Sequence, residues 1–424
     1  MEFSVPLLAG VAVAMLAANV APHWYHEAIH WMPFGNVSVL GHELSLHVLV
    51  NDFFMVLFFG IAAKEITESV LPGGALSPMS KAVNPLFATL GGVLGPIGAF
   101  FLGLWFYFPT GVFGADNDWG MLQRGWGVPT ATDIALAWLV ARAVFGKGHP
   151  AVNFLLLLAV ADDAIGLGII AVFYGDPLHP VAPQYLLLVL AGMMVAFALR
   201  KIGIKSWVPY IAVGGPMAWM GLVLAHLHPA LALVFIVPFL PGPRRDIGLF
   251  ADEDEIDRMG EELAHDLHMQ HSTLHQFEHQ LKTVVDLGLF FFAFTNAGVE
   301  LAGIGPMTWL ILGSLVVGKT VGITGFGYLA VLLGFPLPSQ MGFKELVMAG
   351  FVAALGLTVA LFVAGAAFAD PALLGQAKMG ALFSGFVGIA AVVVGKVLGM
   401  AKGGAIATAE KATAAASAAP LSPH

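Results

Sequence analysis

The sequence contains no cysteine and has few charged residues. The absence of cysteine among 424 residues excludes disulfides, iron–sulfur clusters and zinc sites built on thiolates. Only 11% of the residues are charged and 58% are hydrophobic, whereas a soluble protein has about 25% charged residues because its surface must be solvated. Most of the surface is therefore expected to face lipid, which predicts an all-α polytopic membrane protein.

Other signals that would assign a class are also missing. The first apolar run is not preceded by a basic segment, so we expect no cleavable signal peptide. The net charge of −9 says little about partners, since much of the acid lies in one segment near residue 255. We expect no cofactor, no nucleic-acid partner and no enzymatic activity.

Apolar runs long enough, or nearly long enough, to cross a bilayer recur along the chain. Glycine is abundant (51 residues) and occurs throughout these runs, as expected where helices pack closely in lipid. We predict twelve spans near 4–20, 48–67, 84–108, 128–145, 151–174, 184–200, 208–226, 228–241, 282–299, 306–333, 343–368 and 373–399. They form one membrane domain, 1–399, followed by a low-complexity tail, 400–424, that is predicted to be disordered.

The basic residues predict the orientation. Loops after odd-numbered spans contain only Arg124 and Lys378, and almost all other lysines and arginines fall after even-numbered spans or in the tail. Because basic residues accumulate on the cytoplasmic side, both termini are predicted to be cytoplasmic, and a bacterial inner membrane is the expected location.

The first external loop predicts a small β-hairpin at 36–47. Alternating apolar residues flank a turn at Gly41 in the stretch NVSVLGHELSLH, a pattern typical of two short strands. An isolated hairpin is marginally stable, so it is expected to pair with a second copy of the chain or to pack on its own helix ends.

Four ionisable residues lie in the middle of predicted spans: Asp133, Asp162, Asp163 and Lys319. Such a residue costs on the order of 3 kcal/mol inside the hydrocarbon, so each is a functional candidate by default. Adjacent residues on a helix point about 100° apart. One of the paired aspartates could therefore face a fixed cation such as Lys319 while the other faces a water-filled cavity, where H⁺ and a metal cation would compete for it. The alternative is that buried hydroxyls or helix N-termini satisfy both acids.

Two spans carry signs of a broken helix. The stretch PTATD (129–133) contains a proline and two threonines, and Gly356 and Thr358 interrupt the eleventh span in a similar way. Breaks at corresponding places in two halves of a transporter point to inverted repeats and to a binding site at mid-membrane.

The stretch GSLVVGKT, 313–320, fits the pattern of a phosphate-binding loop. Such a loop needs a strand before it and an aqueous nucleotide beside it, whereas this stretch lies within an apolar run. We therefore expect no nucleotide partner and interpret Lys319 as an intramembrane ammonium paired with carboxylates.

Taken together, these motifs resemble those of the NhaA family of bacterial sodium/proton antiporters. The matching stretches are NDFFMVLFF (51–59), RGWGVPTATDIALA (124–137), FLLLLAVADDAIGLGIIAVFY (154–174), LFFFAFTNAGVEL (289–301), VVGKTVGI (316–323) and LGLTVALF (355–362). The resemblance implies a twelve-helix fold with inverted repeats, in which spans 4 and 11 are broken and cross. It also implies electrogenic exchange of Na⁺ or Li⁺ for H⁺ by a homodimer joined partly through the hairpin.

The resemblance also implies roles for single residues. Asp163 would be the main cation ligand and Asp162 its partner, paired with Lys319 when Na⁺ is absent. Asp133 and Thr132 would lie at the crossing, supported by Gly356 and Thr358, with Asp133 offsetting helix N-termini and Lys319 offsetting C-termini. Glu65 and His228 match an acid near the cytoplasmic entrance and a histidine at the start of span 8. The residues after Glu65 depart from the family pattern, which puts its usual pH-sensing cluster in doubt.

The segment least like the family, 251–281, is predicted to be a cytoplasmic amphipathic helix that runs into span 9. A solvated polar face, a pH-sensing stripe and adventitious metal binding are all compatible with its stripe of histidines: His265, His268, His271, His275 and His279.

Two other functions stay open at this stage. A proton- or sodium-coupled carrier of an organic substrate could use a related fold with a different pocket. An intramembrane aspartyl protease would use two aspartates on helices, but its usual G-x-G-D motif is replaced here by AVADD (159–163).

Overall fold

The structure of the protein is a computed structural model. The structure describes residues 4–35, 38–39, 42–71, 79–114, 118–175, 180–242 and 272–400. Within these ranges the chain is almost entirely helical. The predicted tail from 401 onward and most of the segment 251–281 lie outside the described residues.

The α-helices of the first half follow one another with short connections. In chain order they are α1 (Ser4–Val20), α2 (Pro22–Ile29), α3 (Leu46–Val48), α4 (Met55–Val70), α5 (Met79–Tyr107), α6 (Trp119–Gln123), α7 (Ile134–Phe145), α8 (Pro150–Phe173), α9 (Leu186–Ile202) and α10 (Gly215–Leu224). A π-helical segment, Leu49–Phe54, joins α3 to α4, and another, Tyr210–Gly214, precedes α10.

The second half continues in the same manner. Its helices are α11 (Thr273–Asn296), α12 (Pro306–Gly313), α13 (Lys319–Leu332), α14 (Phe343–Val352), α15 (Leu357–Ala367), α16 (Pro371–Phe383) and α17 (Gly385–Val397). A third π-helical segment, Ser314–Gly318, joins α12 to α13 without a break.

Six continuous helical segments in the described part are long and apolar enough to cross a membrane. They are Leu46–Val70, Ala82–Thr110, Pro150–Phe173, Pro183–Ile202, Pro306–Leu332 and Pro371–Val397. Two pairs of helices also qualify when each pair is taken as one bent span. Shorter apolar helices occupy Val5–Val20 and Tyr210–Leu224. The chain is therefore a multi-pass membrane protein, and helical segments occupy the positions of all twelve predicted spans.

The eighth predicted span differs from an ordinary α-helix. Residues 228–241 form 3₁₀ turns at Pro229–Val234 and Val237–Phe239. Their backbone N–H groups bond three residues back, as from Ile236 to the carbonyl of Leu233. Proline lacks a backbone donor and clashes with the preceding turn, so Pro229 and Pro238 account for the departure from regular α-helix.

A short antiparallel pair of strands lies between α2 and α3. Strands β1 (Ser38–Val39) and β2 (His42–Glu43) pair with Ser38 opposite Glu43. Residues 36, 37, 40 and 41 lie outside the described residues, so the pairing covers only the centre of the predicted 36–47 hairpin.

The chain divides into two compact units. The first contains residues 1–82, 163–308 and 360–379, and the second contains 83–162, 309–359 and 380–424. In the first unit α1 packs closely on α11, since a Cβ added at Gly10 would meet the carbonyl group of Phe290.

Within the second unit, α5 packs backbone-to-backbone on the helix that carries Lys319. A Cβ built at Gly95 would overlap the carbonyl of Gly318, and one at Gly91 would overlap that of Gly322. Small residues permit this approach between membrane helices. The contact fixes the backbone on both sides of Lys319.

Candidate functional site

Both bent spans break where the sequence predicts it. The helical stretches Trp119–Thr130 and Ile134–Phe145 meet at 51°, and Phe343–Val352 and Leu357–Ala367 meet at 50°. Pro129 cannot donate a backbone hydrogen bond, and the hydroxyl of Thr130 donates instead to the carbonyl of Gly127. The breaks expose backbone groups that need partners in a buried environment.

The two breaks supply partners to each other. The backbone N–H of Asp133 donates to the carbonyl of Leu355 at 2.6 Å, and the hydroxyl of Thr132 donates to the carbonyl of Ala353 at 2.9 Å. The N–H of Gly356 donates to the hydroxyl of Ser384 at 3.2 Å. The broken segments are thus joined directly, and Gly356 lies within the junction.

Asp133 interacts with the N-terminal ends of two helices. Its Oδ1 accepts from the N–H of Leu136 at 3.0 Å, which caps α7. Its Oδ2 accepts from the hydroxyl of Thr358 at 3.0 Å and from the N–H of Thr358 at 3.4 Å, near the start of α15. The positive ends of both helix dipoles therefore face this buried side chain.

Lys319 lies in the same junction and is completely buried. Its Nζ donates to Asp162 Oδ2 at 2.6 Å and to the hydroxyl oxygen of Thr132 at 2.7 Å. Neither Lys319 nor Asp162 has any exposed side-chain surface. Because the Thr132 hydroxyl also donates to Ala353, the ammonium is one hydroxyl group away from the carbonyl end of α14.

The two aspartates of α8 differ in their surroundings. Asp162 Oδ2 accepts from Lys319, whereas Asp162 Oδ1 is buried and has no hydrogen-bond partner among the described residues. Asp163 is 9% exposed. Asp162 is the last residue of its stretch in the second unit, and Asp163 is the first of the next stretch in the first unit. Carboxylate oxygens of this kind are suitable ligands for a hard cation.

The match to a phosphate-binding loop is helical throughout. Residues Pro306–Leu332 form one apolar helical segment that contains the π-helical stretch Ser314–Gly318. A phosphate loop requires a strand and an open loop before the lysine, and neither precedes Lys319. The structure excludes the phosphate-loop interpretation of this stretch.

A second group of charges lies within the first unit, around Lys64. The ammonium of Lys64 is 3.2 Å from Glu65, 2.7 Å from Glu68 and 2.5 Å from Glu278. The sequence singled out Glu65 alone. Lys64 and Glu68 are four residues apart and could have been paired from their spacing, whereas Glu278 enters the cluster only through tertiary packing of α11.

The histidines named from the sequence are separated. His228 caps the Pro229–Val234 turn by accepting from the N–H of Ala230 at 3.4 Å, and its ring lies 4.6 Å from that of Phe362. His275 and His279 lie on α11, which continues without a break into span 9, and their rings are 6.5 Å apart. His265, His268 and His271 lie outside the described residues.

Comparison with known proteins identifies the family. Residues 2–398 match the model of a family described as Na+/H+ antiporter 1. The chain belongs to this family. It is 57% identical over 397 residues to a protein of Geobacter sulfurreducens named Na(+)/H(+) antiporter NhaA, covering 94% of this chain and 96% of that protein.

A second curated protein has the same name. A protein of Desulfitobacterium hafniense with the same name is 56% identical over 402 residues, covering 95% of each chain. Among solved structures, the sodium proton antiporter MjNhaP1 of Methanocaldococcus jannaschii is 14% identical, with a TM-score of 0.49 over 94% of this chain and 98% of that one.

Proposed function

We propose that this chain is a secondary active Na⁺/H⁺ antiporter that exports cytoplasmic Na⁺, or Li⁺, in exchange for external protons. The buried pair of Lys319 and Asp162 at the junction of the two broken helices supports this most strongly. A buried ammonium thereby contacts Asp162, the carboxylate that precedes Asp163 in the sequence. The family's name and the curated relatives point to the same activity.

Competition for the aspartates couples the binding of Na⁺ to the release of protons. Two carboxylates in neighbouring positions resist being ionised together unless a cation occupies the site. Protons and Na⁺ therefore displace one another: when Asp163 binds Na⁺ with Asp162 as its partner, protons leave, and when protons return, the cation leaves. The buried Oδ1 of Asp162, which lacks a hydrogen-bond partner among the described residues, is an acceptor available for this purpose.

Lys319 couples the cation to a second charge. In the cation-free state it pairs with Asp162 and also donates to Thr132. If Na⁺ binds Asp162, the buried ammonium of Lys319 loses its counter-ion. This favours release of the proton of Lys319. Moving more than one proton per Na⁺ makes the exchange electrogenic.

The broken helices and Asp133 keep this region polar. Asp133 faces the N-terminal ends of α7 and α15, and Thr132 connects Lys319 to the carbonyl end of α14. Dipole ends at a midplane site are a recurring device in transporters. The N-terminal ends stabilise a negative charge on Asp133, and the carbonyl end of α14 stabilises a positive charge on Lys319.

The cytoplasmic end provides a second place at which protons act. Lys64 faces three carboxylates, so the cluster has more acid than base and its charge depends on pH. Together with His228 and the histidine stripe, it is our candidate for pH regulation and for the cation's entrance from the cytoplasm. We place the protein in a bacterial inner membrane with both termini in the cytoplasm, as a homodimer joined through the hairpin.

The test is cation-driven proton movement in everted membrane vesicles. With a pH-sensitive dye quenched by an imposed gradient, addition of NaCl or LiCl should restore fluorescence in vesicles that contain the protein and not in vesicles that lack it. A carrier of an organic substrate would respond to that substrate and not to salt alone. An intramembrane protease would show peptide cleavage without any dye response.

A further inference from the structure

A buried lysine, Lys378, lies outside the site described above. Lys378 lies on α16, within a segment able to cross the membrane, and is 8% exposed. In the part of the chain that the structure describes, no carboxylate lies within ion-pairing distance of its ammonium. Its nearest polar contact is the amide oxygen of Asn296, 3.5 Å from Nζ. An ionisable residue of this kind inside the membrane is costly unless it serves a function.

Asn296 connects Lys378 to another span of the same unit. The amide nitrogen of Asn296 donates to Asn51 Oδ1 at 3.0 Å and to the carbonyl of Phe292 at 3.1 Å. The amide nitrogen of Asn51 then donates to the carbonyl of His47 at 3.0 Å. These bonds run in one direction, so Lys378 is the terminal donor of a polar chain that crosses three helical segments.

The polar groups that begin at Lys378 continue towards the solvent. His47 lies within electrostatic range of Lys378 on one side and of His30 on the other. His30 is exposed at the end of α2, and His47 is half-buried at the start of its span. The line thus runs from an exposed histidine, through a half-buried one, to a buried lysine.

Three acids are close in sequence to Asn51, Asn296 or Lys378, namely Asp52, Glu300 and Asp370, and among the described residues none of them forms an ion pair with Lys378. Glu300 is exposed. Asp370 accepts from the N–H of Leu373 at 2.8 Å and so caps its own helix. His47 is therefore the titratable group that faces Lys378 among the described residues, with His30 behind it. A change in the protonation of His47 would act directly on the ammonium, and a change at His30 would act through His47.

We propose that Lys378 is a further proton-exchange site, separate from the paired aspartates and from the Lys64 cluster, and connected to the external solution through His30 and His47. This inference rests on the proposed antiport and on the proposed orientation, which puts these residues at the external end. When Nζ is protonated, its new N–H bond forms as an O–H bond of a hydronium ion or water from the external solution breaks, and on deprotonation the proton returns to external water. Protonated Lys378 donates to Asn296 and adds a positive charge to the first unit, so external pH sets the rate of exchange through it.

Vesicles of opposite orientation separate the two faces. In right-side-out vesicles, Na⁺/H⁺ exchange is measured while the pH of the medium is stepped from about 6 to about 9 with the lumen strongly buffered; everted vesicles expose the cytoplasmic face to the same steps. The variants are Lys378→Met, which removes the amine, Lys378→Arg, which stays protonated, and His47→Gln. Lys396→Met, which removes an exposed lysine from the neighbouring α17, is the matched control.

We expect both Lys378 variants to flatten the external pH profile or to shift its midpoint by about one unit, as for a perturbed titrating group. His47→Gln should shift the midpoint by less. The cytoplasmic profile should stay as in wild type, and Lys396→Met should change neither. If Lys378→Met does not reach the membrane, Lys378→Arg and His47→Gln decide the matter.

External pH profiles that match wild type in these variants would overturn the proposal. If the melting temperature of the variants is also lowered, the role of Lys378 is to hold three helical segments together. A wild-type protein without Na⁺-driven proton movement in either vesicle would instead overturn the proposed antiport, a result that the wild type alone reveals.

Discussion

Lys319 Nζ and Asp162 Oδ2 are 2.6 Å apart, and neither side chain has any exposed surface. In an ion pair so deeply buried, each charge destabilises the protein when its partner is removed. Lys319 and Asp162 are 157 positions apart in the chain, and their contact connects α13 to α8 within the second unit. This relationship leads to the first prediction.

Lys319→Ala should lower the free energy of unfolding by about 3–5 kcal/mol, since it leaves Asp162 buried without its counter-ion. Asp162→Asn should be costly for the converse reason. The double variant should lose less than the sum of the two single losses, which a double-mutant cycle of melting temperatures in detergent measures. Additive losses would mean that the two charges do not depend on each other.

Thr132→Val should impair both stability and exchange. It removes the hydroxyl that accepts from Lys319 and donates to Ala353, and leaving buried groups unpaired costs about 1–3 kcal/mol. Thr132→Ser keeps the hydroxyl and should behave like wild type. Melting temperature and the initial rate of Na⁺-driven proton movement, measured on matched amounts of both variants, test this. Equal behaviour of Val and Ser would show that the hydroxyl is not used.

Two substitutions of Asp133, to Asn and to Ala, distinguish the helix-capping role of this residue from the role of its charge. Asparagine caps helices about as well as aspartate, whereas loss of an N-cap costs about 0.5–2 kcal/mol. We expect Asp133→Asn to stay near wild type in melting temperature while its exchange falls, because the charge that faces two helix N-termini is gone. Asp133→Ala should lose both. Unimpaired exchange by Asp133→Asn would contradict a role for that charge.

His149 gives the protein a stability that depends on pH. Its Nδ1 accepts from the N–H of Ala151 at 3.1 Å, and its ring stacks on Phe145. Burial lowers the pKa of His149 below its ordinary value of 6.5, and Glu345 opposes that shift. Because the folded protein disfavours the protonated ring, this contribution to stability is complete above pH 6.5 and is lost as the pH falls through the lowered pKa.

His149→Asn should remove part of this acid sensitivity, since asparagine can accept the same hydrogen bond and does not titrate. Melting temperatures of the two proteins at about pH 7.5 and pH 5 test the prediction. The fall in melting temperature on acidification should be smaller in the variant. An equal fall would assign the acid sensitivity to other groups.

Local features of the sequence predicted much of this fold. Hydropathy located the spans, and Pro129 and Gly356 marked the breaks because each disturbs regular helix by itself. The charge of Lys319 in an apolar run required a carboxylate partner, and only a few acids lie at that depth. These inferences needed no knowledge of which helices are neighbours.

Features that depend on tertiary neighbours could not be predicted. The approach of Glu278 to Lys64 and of Asn296 to Lys378 follows from helix packing rather than from spacing along the chain. The hydroxyl bridge from Lys319 through Thr132 to Ala353 depends on how two broken spans meet. The π-helical turn Ser314–Gly318 lies directly before Lys319 and contains no proline, so no helix-breaking proline indicated it.

The most direct test of the account is exchange by purified Asp163→Asn in proteoliposomes, compared with wild type at equal insertion. The substitution keeps the shape of the side chain and removes the charge that a cation requires. We expect wild type to release protons when Na⁺ is added and the folded variant to release none between about pH 6 and pH 9. Na⁺-driven proton movement by Asp163→Asn anywhere in that range would contradict the central claim that the paired aspartates of α8 bind the transported ions.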